Sequence, residues 1–231
     1  MTTSGSVDFG LTTNEIIEKA FHILGVAAEG EALSARAYED GRLSLNLMVK
    51  SWGSKKHLWL QTTRSVTLVD GQAAYTLTPK PMRVIEARRR VTSSQIDTPM
   101  MEWARQTYYD QPNKTITSIP TAFYYEPQRD TGTLYLWPAP SSSTANTMTV
   151  ELTYMRRMDD FDASNNEPDL PQEWLEALVW NLANRLEPEY PVNDPRLAQK
   201  IEARAEMLLA EIESFDTEPA SLFLQPESRW G

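Results

Sequence analysis

Residues 120–155 place the tightest limit on what this chain can fold into. They read Pro-Thr-Ala-Phe-Tyr-Tyr-Glu-Pro, later Gly-Thr-Leu-Tyr-Leu-Trp-Pro-Ala-Pro, and finally Met-Thr-Val-Glu-Leu-Thr-Tyr-Met. In an extended chain Leu134 and Leu136 face one way and Tyr135 and Trp137 the other. Met148, Val150, Leu152 and Tyr154 share a face, with Thr149, Glu151 and Thr153 opposite. A period of two, rich in aromatic and β-branched residues, predicts three successive strands paired as an antiparallel meander. Pro138 and Pro140 stop the second strand, since proline offers no ladder donor. The polar residues 141–146 are expected to form a loop.

The flanks carry a different period. Thr12 and Glu15 have capping-box spacing before Ile16, Ile17, Ala20, Phe21 and Leu24, and Gly25 supplies a stop. Ser34 can cap a second helix marked by Tyr38, Leu45, Met48 and Trp52, broken at Gly53. Past residue 57, Val66 and Leu68 alternate with polar residues, Asp70-Gly71 signals a hairpin turn, and Ala73, Tyr75 and Leu77 form the return strand. Residues 82–91 are strand-like and carry Arg83, Arg88, Arg89 and Arg90; residues 100–109 read as a short helix, ended by Pro112. After an acidic loop over 158–168, Pro171 is placed as a first helical residue ahead of Trp174, Leu175, Leu178, Val179, Leu182 and Leu186. Asp194-Pro195 starts a last helix with Leu197, Ile201, Ala205, Leu208 and Ile212 on one side.

The expected fold is therefore α+β: a discontinuous α-helical bundle of N- and C-terminal helices, an inserted antiparallel β module and an extended C-terminal tail. The helical hairpin is assigned to residues 12–56, the β domain to 57–158, the completing helices to 168–214 and a docking tail to 215–231. That tail holds Phe215, Leu222, Phe223, Leu224 and Trp230 among prolines, without period, and an apolar segment of this kind commonly docks onto a partner.

The search for chemistry returns little. The chain has 231 residues and no cysteine, which excludes disulfides, thiolate metal sites and cysteine nucleophiles. No apolar run reaches membrane-spanning length, and residues 1–10 lack the basic and apolar regions of a signal peptide. For His22 and His57 no local sequence motif supplies a catalytic orienting group and nucleophile, so structural roles are favoured. Asp159, Asp160 and Asp162 resemble a calcium loop but lack its turn glycine and distal glutamate; no metal or cofactor is expected. Glu102, Glu126 and Glu151 are the carboxylates from which a glycosidase-type pair would be drawn. The Arg88-Arg89-Arg90 run is expected to pair with carboxylates of its own or a neighbouring subunit rather than with phosphate. The aromatic residues of the meander are read as core rather than as a base-stacking platform. A net charge of −10 opposes tight, sequence-independent DNA binding.

The order of motifs resembles a known family. It runs through Met48-Val-Lys-Ser-Trp52, Asp70-Gly-Gln-Ala-Ala-Tyr-Thr-Leu77, Pro112-Asn-Lys114, Pro120-Thr-Ala-Phe-Tyr-Tyr125 and Gly132-Thr-Leu-Tyr-Leu-Trp-Pro138. It continues through Leu170-Pro171, Ala177-Leu-Val-Trp-Asn-Leu-Ala183 and Leu186-Glu-Pro-Glu-Tyr190. Over residues 32–212 the chain is similar to the head-to-tail adaptors of tailed bacteriophages, such as the head-completion factor of short-tailed phages. The resemblance implies a non-enzymatic virion protein at the head-to-tail junction, made in the host cytoplasm. It implies a homo-oligomeric ring, commonly of twelve copies, bound to the portal protein above and to a nozzle, stopper or tail tube below. Packaged DNA would pass through with weak contact, and no membrane is involved. Two readings compete: a virion-associated peptidoglycan hydrolase using a carboxylate pair, and a DNA-binding component using the arginine run.

Overall fold

The computed structural model describes residues 5–6, 8–26, 32–54 and 58–215. The chain divides into two compact units, Met1–Leu58 with Asp159–Gly231, and Trp59–Met158. Helices and mostly antiparallel strands make the protein α+β, as its sequence predicts.

The first unit opens with α1, Thr13–Leu24, and α2, Ala35–Trp52. The capping box forms: the Thr12 hydroxyl accepts from the Glu15 N–H, and Glu15 Oε2 accepts from the Thr12 N–H at 2.8 Å. Gly25 ends α1 at φ +70°, a left-handed conformation that costs a side-chain-bearing residue about 1–2 kcal/mol. Ser34 caps α2 through the Ala37 N–H.

The second unit holds ten strands and two short helices. They run β1 Gln61–Thr67, β2 Ala74–Leu77, β3 Arg83–Val91, β4 Ile96–Pro99, β5 Met101–Glu102, α3 Arg105–Tyr109, β6 Thr117–Ser118, β7 Ala122–Pro127, β8 Gly132–Trp137, β9 Ala139–Pro140, α4 Ser142–Thr147 and β10 Met148–Met155. The chain then returns to the first unit with a single 3-10 turn, Gln172–Trp174, α5 Leu175–Leu186 and α6 Pro195–Phe215.

Two four-stranded sheets dominate the second unit, ordered β1-β10-β3-β4 and β2-β8-β7-β5, beside a small parallel pair of β6 and β9. Their inner faces share one core, with Val84, Ala87, Val150 and Leu152 from the first and Tyr75, Leu77, Phe123, Leu134 and Leu136 from the second. The alternation read from the sequence is real, but the meander is not. β7 and β8 pair with each other, whereas β10 joins the other sheet between β1 and β3. Residues 141–146, expected as a loop, instead form α4, capped by the Ser141 hydroxyl, and this turn carries the chain from one sheet to the other. The Asp70-Gly71 turn exists, with Gly71 at φ +72°, yet β1 and β2 do not form a hairpin; each pairs in a different sheet. Two further expectations shift. Of residues 100–109 only Arg105–Tyr109 is helical, because 101–102 pairs in parallel with β7. Pro171 precedes the first helical residue at ψ 150° instead of occupying it.

In the first unit α5 packs against α1, α2 and α6. Its broad apolar face explains this: Leu178, Leu182, Ala183 and Leu186 are fully buried. Phe21 meets Tyr190 edge-on at 4.8 Å, and the Tyr190 hydroxyl donates to Asp40 at 2.7 Å, tying α1, α2 and the end of α5 together. The acidic loop is stitched down rather than free: Asn46 accepts from the Phe161 N–H at 2.9 Å and donates to its carbonyl at 3.1 Å. The tail boundary also moves, since Phe215 is the last residue of α6.

Gly41 of α2 lies directly against Ile17 of α1. A Cβ there would stand 2.7 Å from Ile17 Cγ2. A glycine-to-alanine change inside a helix normally stabilises by roughly 0.5–1 kcal/mol. Here the sign should reverse, because Ile17 is β-branched and fully packed. Gly41→Ala is expected to lower the urea midpoint; a higher midpoint would contradict this packing.

Candidate functional site

The β unit presents two outer faces of different chemistry. On the first sheet, the period of two splits the arginine run. Arg88 and Arg90 lie on the outer face opposite Glu151 and Thr149, while Arg89 pairs with Val150 and so starts from the core side. Arg89 Nη1 donates to the Pro120 carbonyl at 3.1 Å. Arg90 makes a two-pronged pair with Asp97 of β4, Nε to Oδ1 at 2.6 Å and Nη2 to Oδ2 at 2.7 Å, with Glu151 3.9 Å from its Nη1. Arg88 Nη2 lies 2.9 Å from Glu86 Oε1 and donates to Thr153 Oγ1 at 3.2 Å, but its Nε is buried without a partner. The three arginines are thus no single phosphate-facing patch. Thr63, Ser65 and Thr67 extend this polar surface across β1.

On the second sheet, Tyr124 and Tyr135 stack across the β7–β8 pair at 5.8 Å and 12°. Tyr108 and Tyr109 of α3 close over them, Tyr108 lying 5.0 Å from Tyr135. The guanidinium of Arg105 and the Lys114 ammonium sit over the Tyr109 ring at 5.5 and 5.6 Å. Trp103 and Trp137 lie 5.0 Å apart on the same sheet. Burial, with help from Tyr109 and Glu126, pushes the Tyr135 hydroxyl up to about 12, so it stays a neutral donor to Glu126 Oε2 at 3.3 Å. Tyr124 is buried here as expected, but on the outer side of its sheet under α3, not in the shared core; Tyr125 is the one that turns inward, its hydroxyl on the Pro81 carbonyl at 2.6 Å.

The remaining sequence candidates scatter. By register Glu102 falls on the Phe123 side of β7 and Glu126 on the Tyr124 side, while Glu151 belongs to the other sheet. These three therefore do not form a facing pair. In the helical unit Asp160 lies 2.5 Å from Lys50, and Asp159 donates its N–H to Asp169. Among the described residues no group of three His, Asp or Glu side chains is disposed to hold a metal ion. His22 is exposed in the last turn of α1, and His57 lies outside the described residues. Phe215 is 87% exposed; Leu222, Phe223, Leu224 and Trp230 lie outside the described residues.

Sequence reasoning missed several features. Asp97 emerges only once β3 and β4 are set in register. The Tyr108–Tyr109 pair was hidden in a stretch read as one longer helix. Leu43 and Leu47 of α2, 61% and 52% exposed, were legible: they fall off the Leu45–Met48–Trp52 stripe.

These features describe a protein of two compact units, many of whose polar side chains are engaged in packing and pairing. A family model described as SU10 adaptor protein matches residues 23–223, most of the chain. The chain belongs to the SU10 adaptor protein family and is a bacteriophage head-to-tail adaptor. Membership implies a place in the virion and contact with portal and tail components in general. No curated protein matches the chain. Among the described residues no helix is long and apolar enough to cross a membrane.

The Arg90 pair predicts an acid dependence. Hydrogen bonds from Arg90 hold the Asp97 carboxyl below its ordinary range, against a smaller opposing effect of burial. A lowered folded-state value means that the contribution is complete above the unfolded value, about 4, and is lost as pH falls through the folded one. Asp97→Asn should lower Tm at pH 7, and the gap to wild type should narrow in acid. A gap that stays constant from neutral pH into strong acid would refute the assignment.

Proposed function

We propose that the protein forms a ring, of twelve copies, beneath the portal, joins head to tail, extends the DNA channel and helps retain packaged DNA. The match to the adaptor family over residues 23–223 carries this reading. It is made in the host cytoplasm and acts without a catalytic step, a metal or a cofactor, and its lower face receives the next tail component. The net charge of −10 supports a channel that repels the DNA backbone and lets it slide, where a basic lining would hold it by counterion release.

The portal contact belongs to the C-terminal segment. Phe215 is 87% exposed at the end of α6, and Leu222, Phe223, Leu224 and Trp230 follow it in sequence. Aromatic anchors of this kind dominate interface energies. Neighbouring copies in the ring also meet through the face bearing Arg88 and Arg90 and the edge near Arg89. Arg88, whose side chain is 35% exposed, presents the outer part of its guanidinium on that face.

Two measurements test this. Native mass of the full chain mixed with portal rings should show a fixed number of copies added per ring; a chain that ignores the portal would overturn the reading. A chain ending at Phe215 should keep its far-UV spectrum and Tm yet lose portal binding at least about a hundredfold, as expected for removal of hot-spot anchors worth a few kcal/mol. Undiminished binding would remove the tail from the contact.

A further inference from the structure

The two four-stranded sheets end in four edge strands, and three of these are blunted. β5 is two residues long, and β2 is four residues long and stopped by Pro79. β4 also has four residues. The Met100 N–H bonds the Ala87 carbonyl, so by alternation the outer groups of β4 belong to Asp97, held by Arg90, and to Pro99, which has no N–H. β1 is different. It runs seven residues, Gln61–Thr67, without proline, lysine or carboxylate. The Arg156 N–H bonds the Leu60 carbonyl at 2.9 Å, so Thr62, Arg64 and Val66 bond β10, and the backbone groups of Gln61, Thr63, Ser65 and Thr67 face away from it. Among the described residues no strand takes them, and Thr63, Ser65 and Thr67 are exposed. An open edge of this length invites an added strand, and natural proteins usually cover one. A second β1 is a poor occupant. Arg64, the one charge on the strand, donates to the Thr78 carbonyl at 2.7 Å, and symmetric pairing centred on it would set two guanidiniums against each other.

The chain itself carries a segment of fitting length and pattern. Between Pro219 and Pro226 lie Ala220-Ser-Leu-Phe-Leu-Gln225, six uncharged residues outside the described part of the chain. A proline at each end limits pairing to this window. As a strand the window puts Leu222 and Leu224 on one side and Ser221, Phe223 and Gln225 on the other. The leucines then continue the inner row that ends at the buried Val66, and Ser221 and Gln225 join the hydroxyls of β1. The segment also starts from a suitable place. α6 folds back along α5, with Asn181 bonding the Ala205 carbonyl at 3.0 Å. Its last turns therefore run toward the start of α5, where Trp174 meets Trp52 at 5.8 Å. The chain leaves the helical unit shortly after Trp52, and β1 begins just beyond that crossing. Residues 216–219 add a lead of up to about 14 Å.

We propose that in the unassembled chain residues 220–225 add to β1 as a fifth strand of its sheet, and that the portal takes them from it. The inference rests on the tail reading above and adds how that tail is kept from other surfaces before assembly. One contact hides both an open edge and an apolar segment. The tether holds the segment at an effective concentration on the order of millimolar, which favours pairing while leaving it displaceable by a tighter partner.

Amide exchange in the full chain, compared with the chain ending at Phe215, tests the pairing. The Thr63 and Ser65 amides should exchange at least about tenfold more slowly in the full chain, while those of Arg64 and Val66, bonded to β10 in both, stay the same. Phe223→Pro in the full chain should restore fast exchange at Thr63 and Ser65 with Tm unchanged. Equal exchange at these two amides in both chains would overturn the proposal, and the tail reading would still stand if truncation abolishes portal binding. Slow exchange in the full chain together with undiminished portal binding after truncation would overturn the tail reading and leave the added strand in place. The chain has no cysteine, so Ser65→Cys/Phe223→Cys, treated with a short bismaleimide in dilute solution, should give a cross-linked monomer. Covalent multimers in its place would assign the strand to a neighbouring copy and overturn the proposal. Prior binding to portal rings should abolish the cross-link; a cross-link that persists on the ring would refute the exchange of partners.

Discussion

The β unit depends on the placement of β10. The last strand of the unit in chain order lies near the centre of its sheet, hydrogen-bonded to β1 on one side and β3 on the other. Its Val150 and Leu152 are fully buried, each contributing about 1.5–3 kcal/mol of hydrophobic stabilisation. Until residues 148–155 arrive, β1 has no strand partner and β3 only the four-residue β4. The first sheet and the core it shares with the second are therefore completed by contacts distant in sequence. Such pairing carries a loop-closure cost that has to be met before packing compensates for it.

The same strand sets the chemistry of the outer surface. Because Val150, Leu152 and Tyr154 must point inward, Thr149, Glu151 and Thr153 must point out, and the register with β3 brings Arg88 and Arg90 beside them. Asp97 then completes the row from β4. The result is a flat, polar, internally paired face rather than a cluster of unpaired positive charge.

The helical unit is built on the opposite principle. Its stability comes from one helix, α5, whose apolar face is wide enough to serve three neighbours. The loop following the β unit is held over α1 and α2 by backbone-specific hydrogen bonds, Thr13 to the Asn166 carbonyl and Asn46 to Phe161.

Local periodicity determined which residues are inside. Leu134, Leu136, Val150, Leu152, Ile16, Phe21, Leu178 and Leu182 were legible as core because side-chain direction follows from a repeat of two or about 3.6. Caps at Thr12 and Ser34 and the stop at Gly25 were legible for the same reason: their chemistry is satisfied within four residues. The motif order also carried the family. Tertiary structure alone decided which strand pairs with which. β7, β8 and β10 look like one meander because alternation reports a face, not a partner. The partner depends on how α4 and the 138–140 segment redirect the chain between sheets. By the same logic three consecutive arginines look like one patch in sequence, and only the register of β3 against β4 and β10 sets Arg90 beside Asp97 and Arg88 beside Thr153, while Arg89 turns to the Pro120 carbonyl of the same unit.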